Sequence, residues 1–291
     1  MWMIWKLLFL PLLALPLSAQ DIEKCGKRVG TIEVVKGASA PKIDGLSNDP
    51  VWASVKAHTI PVDIPKKIFE TEDSAELKVV HDGTSVYFLL RWKDKTKSTQ
   101  HKPFKWNKSR RSYEESEDLE DAAYFAFEKE GAFNVNMRAG IEAVWDSWYW
   151  QAARTNSVGY AMDETHHYTK KKPKQKARFI RLDTGKYGYI RRAMDEGKPI
   201  VTKSLPPARR KGSVVAQYKV QKPDGSGADV RAKGIWRSGW WTVEWSRKLD
   251  TGHSDDTPFV LGKGYGFAIG ISREVEDEDH LVSLPYTLQF K

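Results

Sequence analysis

The chain of 291 residues is 40% hydrophobic and 12% aromatic, and its formal net charge is +9. This length and hydrophobic content support a sizeable core in one large or two small domains. The only cysteine is Cys25, which excludes an internal disulfide, a CxxCH haem attachment, a four-cysteine zinc site and a cysteine-ligated iron–sulfur cluster. Cys25 is interpreted as a reduced thiol or as an intermolecular link.

The N-terminus has the three parts of a secretory signal peptide. A short basic segment ends at Lys6, an apolar run spans Leu7–Leu17, and the small residues Ser18 and Ala19 follow. The apolar run is shorter than the roughly 20 residues that a membrane-spanning helix needs. We predict cleavage after Ala19, a periplasmic location and no membrane span in the mature chain. An uncleaved N-terminal anchor is the alternative.

Strand patterns separated by turn residues dominate the mature chain. Asp82-Gly83-Thr84, Asp183-Thr184-Gly185 and Arg237-Ser238-Gly239 each lie between two such patterns, which predicts three hairpins. Ile141–Arg154 is expected to form a short helix or an irregular segment. The predicted strands are Ala75–His81, Ser85–Trp92, Ala122–Glu128, Ala177–Leu182, Tyr187–Arg192, Val230–Trp236, Trp240–Ser246, Tyr265–Ser272 and Leu281–Phe290.

Many short strands with regular turns predict an all-β fold. We expect an immunoglobulin-like or jelly-roll-like antiparallel β-sandwich with long loops and a few short helices. Tyr160–Lys176 and Ala193–Gly212 are rich in charge, Gly or Pro, and are expected to be the long loops. The predicted organisation is a signal peptide over residues 1–19, a lead-in over 20–40 and one sandwich domain over 41–291.

Positive charge is concentrated in three clusters, Lys170–Arg178, Arg191–Arg192 and Arg209–Lys211. Nucleic acid is one conceivable partner for such clusters, but the predicted export argues against it. A solvated face or a docking surface for an acidic partner is expected instead. The chain has no G-x-S-x-G, no H-E-x-x-H and no Gly-rich phosphate loop, so no motif indicates a hydrolase.

The segment Ile43-Asp44-Gly45, followed by Asp49-Pro50-Val51-Trp52, resembles the opening of two related sandwich families. One is carbohydrate-binding module family nine, and the other is the haem-binding domain of the ethylbenzene dehydrogenase γ subunit and its relatives. The later segments resemble the haem-binding group. These are Ser85–Asp94 (SVYFLLRWKD), Asp146–Asn156 (D-x-W-x-W-x-A-x-R), Gly234–Arg247 (W-x-x-G-x-W-x-V…R) and Val282–Leu288.

This resemblance implies one non-covalent b-type haem with a Met and a Lys as axial ligands. The family Met precedes the D-x-W-x-W segment, which is the position of Met137. Some relatives carry CxxCH here, and Phe133 and Asn136 then occupy the two Cys positions. The family Lys precedes the last strand, where this chain has His280 and so departs from the pattern. Met/His ligation implies a low-spin haem of raised potential. Without the resemblance, Met137 is ordinary core filler and His280 a solvated residue.

Three further residues are candidates beside the haem. Trp148 and Trp150 are separated by one residue. Either one of them places its ring on a haem face, or both pack in the core. Arg154 matches a propionate through bidentate hydrogen bonds, or forms a structural ion pair with Asp146 or Asp163.

His166 and His167 are the other conspicuous pair. Adjacent residues of a strand face opposite ways, so both binding one metal ion is unfavourable. We expect them to be surface loop residues, with one of them as an alternative haem ligand.

The resemblance implies an electron-transfer subunit that is not itself the catalyst. Its partners would be a molybdenum-containing catalytic subunit and an iron–sulfur subunit, or a soluble cytochrome. The alternative is a sugar-binding module related to carbohydrate-binding module family nine, without haem. A third option is an accessory protein that kept the fold and lost the cofactor.

Overall fold

The computed structural model describes residues 23–64, 73–273 and 280–291, and the predicted signal peptide lies outside them. Within these residues no helix is long and apolar enough to cross a membrane. The described elements are mostly strands: β1 (Thr31–Lys36), α1 (Pro50–Ser54), β2 (His58–Pro61), β3 (Ser74–His81), β4 (Ser85–Lys93), β5 (Phe104–Asn107), β6 (Ser112–Glu115), β7 (Ala122–Gly131), β8 (Ala143–Gln151), β9 (Met162–Thr169), β10 (Arg178–Arg181), β11 (Tyr187–Ala193), β12 (Val201–Lys203), β13 (Val214–Val215), β14 (Tyr218–Val220), β15 (Arg231–Arg237), β16 (Trp240–Lys248), β17 (Gly264–Ser272), β18 (Leu281–Val282) and β19 (Tyr286–Phe290). Short 3₁₀ turns cover Met137–Ala139, Asn156–Val158 and Gly225–Ala228.

Most of the strands form two layers that share β1, and β12–β14 and β13–β5–β6 form two further small sheets. Sheet 1 has the order β10-β11-β9-β8-β7-β17-β19-β1, and sheet 2 continues from β1 as β3-β4-β16-β15. The first half of β1 pairs in parallel with β19, from Thr31↔Thr287 to Val34↔Phe290. Its last two residues pair in parallel with Val80 and His81 of β3. One strand therefore passes from one layer to the other and forms a corner of the sandwich.

The core between the layers is built from aromatic rings on both inner faces. The ring centroid of Phe125 in sheet 1 lies 4.8 Å from that of Phe88 and 4.9 Å from that of Trp245, both in sheet 2. Trp150 lies 5.0 Å from Trp241. Tilted and edge-to-face pairs of this kind each contribute about 0.5–1.5 kcal/mol beyond the area that they bury. The all-β sandwich prediction is confirmed.

The three hairpins predicted from their turns are confirmed as β3–β4, β10–β11 and β15–β16. The predicted final strand is divided in two, because Ser283–Pro285 separates β18 from β19. Residues 31–36, which carried no strand prediction, form β1.

Two predictions of secondary structure were wrong. Ile141–Arg154 was expected to be a helix or irregular, but Ala143–Gln151 is the strand β8. Both faces of β8 are largely buried, so its sequence lacks the alternation of apolar and polar residues that marks a half-exposed strand. The expected loop Tyr160–Lys176 contains the strand β9, whose inward Asp163 and Thr165 are polar and therefore conceal the strand pattern.

The opening motif of the sequence has a structural role. Glu244 on β16 is buried, and its carboxylate accepts hydrogen bonds from the Trp52 indole (2.8 Å) and from the backbone N–H groups of Gly45 (2.7 Å) and Asp44 (3.1 Å). The carboxylate thereby fixes the Asp-Gly turn and α1 onto sheet 2. Burial raises the pKa of Glu244, against the effect of these three donors.

The turn between β3 and β4 depends on one carboxylate. Asp82 Oδ1 accepts from the N–H groups of Thr84 and Ser85 (both 2.8 Å), and Oδ2 accepts from the Tyr87 hydroxyl (2.7 Å). Burial alone would raise the pKa of Asp82, but these hydrogen bonds hold it below its ordinary value. Burial, together with the Asp82 charge, raises the pKa of Tyr87 to about 12.

We predict that Tyr87→Phe lowers the free energy of unfolding at pH 7 by about 1 kcal/mol, because a charge-assisted hydrogen bond is lost. The pKa of Asp82 is lower in the folded state, so its contribution is present above an unfolded pKa of roughly 3.9 and disappears as the pH falls through the folded value. The difference between wild type and variant should therefore shrink in urea titrations at about pH 3. Tyr187→Phe, at an exposed tyrosine, is the control and should change nothing. An undiminished difference at low pH would contradict the prediction.

Candidate functional site

Sheet 1 has a second, outer face that points away from sheet 2. The register of β17, β7, β8 and β9 places Ala268, Ala126, Ser147 and Glu164 side by side in one row across this face. Three of these four side chains are small. Ala268 is 5% exposed and Ser147 is 7% exposed. We call the row of Ala268, Ala126 and Ser147 the floor.

Aromatic residues stand on either side of the floor. On one side the ring centroid of Trp145 lies 4.3 Å from that of Tyr168 and 4.9 Å from that of Phe133. On the other side Tyr124 lies 5.7 Å from Tyr149. We call these groups the tryptophan wall and the tyrosine wall.

The two walls are separated along β8. Trp145 and Tyr149 are four residues apart on β8, about 13 Å at a rise of roughly 3.3 Å per residue. A flat ring in van der Waals contact on both sides needs about 7–8 Å between the wall atoms, since carbon atoms pack at roughly 3.5–4 Å. The backbone separation of the two walls thus exceeds the separation that such a ring needs.

Met137 belongs to the tryptophan wall. It opens a 3₁₀ turn that follows Asn136, whose Oδ1 accepts a hydrogen bond from the Arg138 N–H (3.0 Å). The Met137 side chain is half-buried and packs against a hydrophobic cluster that includes Trp145 and Phe133. The structure thus places this predicted ligand against the outer face.

His280 lies at the tyrosine wall. Its ring is 5.3 Å from the Tyr124 ring, in an edge-to-face arrangement at 81°. Tyr124 projects from the outer face, in the row next to the floor. Its neighbours on the adjacent strands are Gly270 of β17 and Tyr149 of β8. Met137 and His280, far apart in sequence, therefore flank the floor from opposite sides.

Tyr124 carries a buried polar atom without a partner. Among the described residues its hydroxyl oxygen has no hydrogen-bond partner, although it is shielded from solvent. Burial, with smaller contributions from Tyr149 and Tyr168, raises the pKa of Tyr124 well above its ordinary value, so the phenol stays protonated. The ring crosses directly over Gly270, where any side chain would overlap it. A protonated hydroxyl is therefore available to a ligand at the tyrosine wall.

The histidine pair lies in β9 and not in the expected loop. His166 pairs with Trp145 in the register and so projects from the outer face, while His167 projects from the opposite face. His167 Nε2 lies 2.7 Å from an Arg191 guanidinium nitrogen and 3.1 Å from the Thr165 hydroxyl. Burial lowers the pKa of His166, which favours the neutral imidazole that ligates metals. Of the pair, His166 is the one on the side of the candidate site.

Trp148 and Trp150 do not contact the outer face. Both are fully buried between the sheets, and the Trp150 indole donates to Asn156 Oδ1 (3.1 Å). Both residues therefore pack in the core, because the even-numbered residues of β8 point inward.

The partner of Arg154 is neither of those expected. Its guanidinium pairs with Glu120, whose carboxylate also accepts the backbone N–H groups of Ala153 (2.5 Å) and Arg154 (3.0 Å). Burial raises the pKa of Glu120, against the effect of the Arg154 charge. Asp146 instead pairs with Arg247 (2.6 Å).

Comparison with known proteins assigns the family. A family model described as ethylbenzene dehydrogenase matches residues 49–278. The chain belongs to the ethylbenzene dehydrogenase family. No curated protein sequence matches it significantly.

Solved structures also align with this ethylbenzene dehydrogenase family member. A Bacteroides uniformis protein, assigned only provisionally as carbohydrate-binding, aligns with a TM-score of 0.44 at 10% identity, covering 90% of this chain and 99% of its own. A carbohydrate-binding module of family nine from Caldicellulosiruptor kristjanssonii, in complex with glucose, aligns with a TM-score of 0.40 at 13% identity, covering 90% and 95%. At these TM-scores the likenesses decide nothing about ligand or function.

The family-like D-x-W-x-W-x-A-x-R segment serves the core of the sandwich. Asp146 bonds to Arg247, and the Arg247 guanidinium lies 4.7 Å from the Trp148 ring and 4.8 Å from the Phe259 ring. Such stacking of a desolvated cation on aromatic faces is favourable. The Asp and Trp positions of this segment therefore serve the core, whereas the intervening Ser147 and Tyr149 belong to the outer face.

We predict that Tyr124→Phe leaves the free energy of unfolding of the ligand-free protein unchanged, or raises it by up to about 1 kcal/mol, because a buried unpaired hydroxyl is unfavourable. Urea denaturation measures this. Tyr87→Phe, whose hydroxyl is paired, is the matched control and should be destabilised. A loss of more than about 1 kcal/mol in Tyr124→Phe would show that its hydroxyl has a partner.

Proposed function

We propose that the protein binds one b-type haem non-covalently at the outer face of sheet 1 and transfers electrons, with Met137 and His280 as the axial ligands. One observation carries the proposal: these two residues flank the same floor of small side chains. Membership of the ethylbenzene dehydrogenase family supports it.

The donor set suits haem iron. A thioether and an imidazole are both established haem ligands, and their combination raises the reduction potential. Phe133 and Asn136 stand where some relatives have cysteines, so ligation and burial would hold the group. When bound, haem supplies one-electron chemistry. The walls contributed by Trp145 and Tyr124 exclude water from it, and the Tyr124 hydroxyl offers a hydrogen bond.

The physiological setting is part of the same proposal. We place the protein in the periplasm as an electron-transfer partner of a molybdenum-containing oxidoreductase, exchanging electrons with an iron–sulfur subunit or a soluble cytochrome. Residues 170–192 hold ten cationic side chains and one carboxylate, a net charge of +9. Phe179 and Tyr187 are exposed within this segment. Such a surface favours an acidic partner, with an association rate that falls as salt is added.

Spectroscopy of protein produced with ample haem tests the cofactor and its ligands. We expect a Soret band and sharp α and β bands on reduction. Met137→Leu and His280→Ala should each abolish the low-spin spectrum or shift the midpoint potential, because each removes an axial ligand. Met194→Leu and His58→Ala are matched controls outside the site and should leave both unchanged.

The outcomes separate the parts of the proposal. A colourless protein would refute haem binding. A coloured protein whose spectrum survives both ligand substitutions would refute the ligand assignment alone. In that case His166→Ala is the next variant, because His166 shares the outer face.

A second candidate function, sugar binding, is suggested by a cavity elsewhere in the structure. A cavity of about 290 Å³ beside β15 is lined by Trp236 and Trp241, with polar groups from Thr99, Lys97 and Asn156 among its walls. Aromatic rings combined with a few polar groups are typical of small-molecule sites.

We expect glucose titrated by calorimetry to give no heat if the haem proposal is the whole function. Saturable binding by a colourless wild-type protein, weakened at least about tenfold in Trp236→Ala by loss of the ring contact, would instead favour the sugar-binding function. Trp106→Ala, at a half-buried tryptophan outside the cavity, is the control.

A further inference from the structure

Three carboxylates meet at one end of the core between the sheets. Asp146 of β8, Asp163 of β9 and Asp256 of the segment between β16 and β17 each place a carboxylate oxygen within 4.8 Å of the others. All three are at least 96% buried. They point to the inner side of sheet 1, opposite to the outer face, so this cluster is separate from the proposed haem site.

One cation compensates this cluster incompletely. Arg247 Nη1 donates to Asp146 Oδ2 (2.6 Å) and to Asp256 Oδ1 (3.0 Å). Lys129 Nζ lies nearby but donates to the main-chain carbonyl of Asp256 (2.7 Å). If all three carboxylates are ionised, their charges and that of the Arg247 guanidinium sum to −2, which is unfavourable in the interior without a further counter-charge.

Carboxylate oxygens with no donor identify where that counter-charge belongs. Among the described residues, Asp146 Oδ1 and Asp163 Oδ2 are buried and accept no hydrogen bond, and neither does the buried Oδ1 of the adjacent Asp255. Buried acceptors are almost always satisfied by protein, water or an ion.

We propose that Asp146, Asp163 and Asp256 bind one hard divalent cation, with Ca²⁺ the best match. The donor atoms are all oxygens, which select Ca²⁺, Mg²⁺ or Mn²⁺ over softer metals. A charge of +2 balances the cluster, and Ca²⁺ accepts the irregular ligand geometry of side chains from three separate segments. The ion would join β8, β9 and the segment before β17, and would therefore stabilise the sandwich.

The test uses the full mature chain, stripped with EDTA and then titrated with CaCl₂. We expect one Ca²⁺ per chain by calorimetry and by elemental analysis. The Tm should rise by roughly 5–10 °C at a Ca²⁺ concentration 100 times Kd. Asp163→Asn should lose this rise and bind Ca²⁺ at least about tenfold more weakly, because a charged ligand is removed. In EDTA the same variant should be as stable as wild type or more stable, because an unpaired buried carboxylate is gone.

Asp224→Asn is the matched control, since that exposed carboxylate pairs with Lys198 on the surface and should leave Ca²⁺ binding unchanged. If Ca²⁺, Mg²⁺ and Mn²⁺ all fail to bind wild type, the proposal is overturned and the cluster holds protons instead. Binding that survives Asp163→Asn would also overturn it. Should that variant fail to fold, the stoichiometry and the Tm shift of wild type decide the matter.

Discussion

The structure depends on one buried guanidinium. Arg247 extends from sheet 2, lies between the rings of Trp148 and Phe259, and bonds to Asp146 in sheet 1 and to the carbonyl of Thr257. A buried charge is tolerated only when it is paired and fully hydrogen-bonded, and removing one partner of such a pair costs about 3–5 kcal/mol. This constraint fixes how the two layers face each other, and it determines which side of β8 is left for the outer face.

The sequence predicts the parts of the fold that have local signals. The hairpins around Asp82-Gly83 and Ser238-Gly239 follow from turn chemistry, because few residues other than Gly adopt the backbone conformation that these turns require. The strand β9 was missed, since Asp163 faces inward for an electrostatic reason and not a hydrophobic one. The tryptophan and tyrosine walls were missed as well, because their assembly depends on the register of four strands, which no local pattern specifies.

The family resemblance and the candidate site draw on different residues. Asp146, Trp148 and Arg247, which carry much of the resemblance, contact one another inside the sandwich. Met137 and His280 lie outside that network, on a face whose chemistry can vary while the core stays constant. Function must therefore be argued from the outer face itself.

The parallel pairing of β1 with β19 has a consequence for how the molecule reaches its native state. Thr31 and Thr287 are neighbours in the sheet although almost the entire polypeptide separates them. Contacts between such distant residues slow folding, since a large loop must close before any pairing energy is gained. A chain that emerges N-terminus first therefore cannot complete its hydrogen-bonded corner until its last residues arrive. The corner between the two sheets is therefore among the last parts of the fold to form.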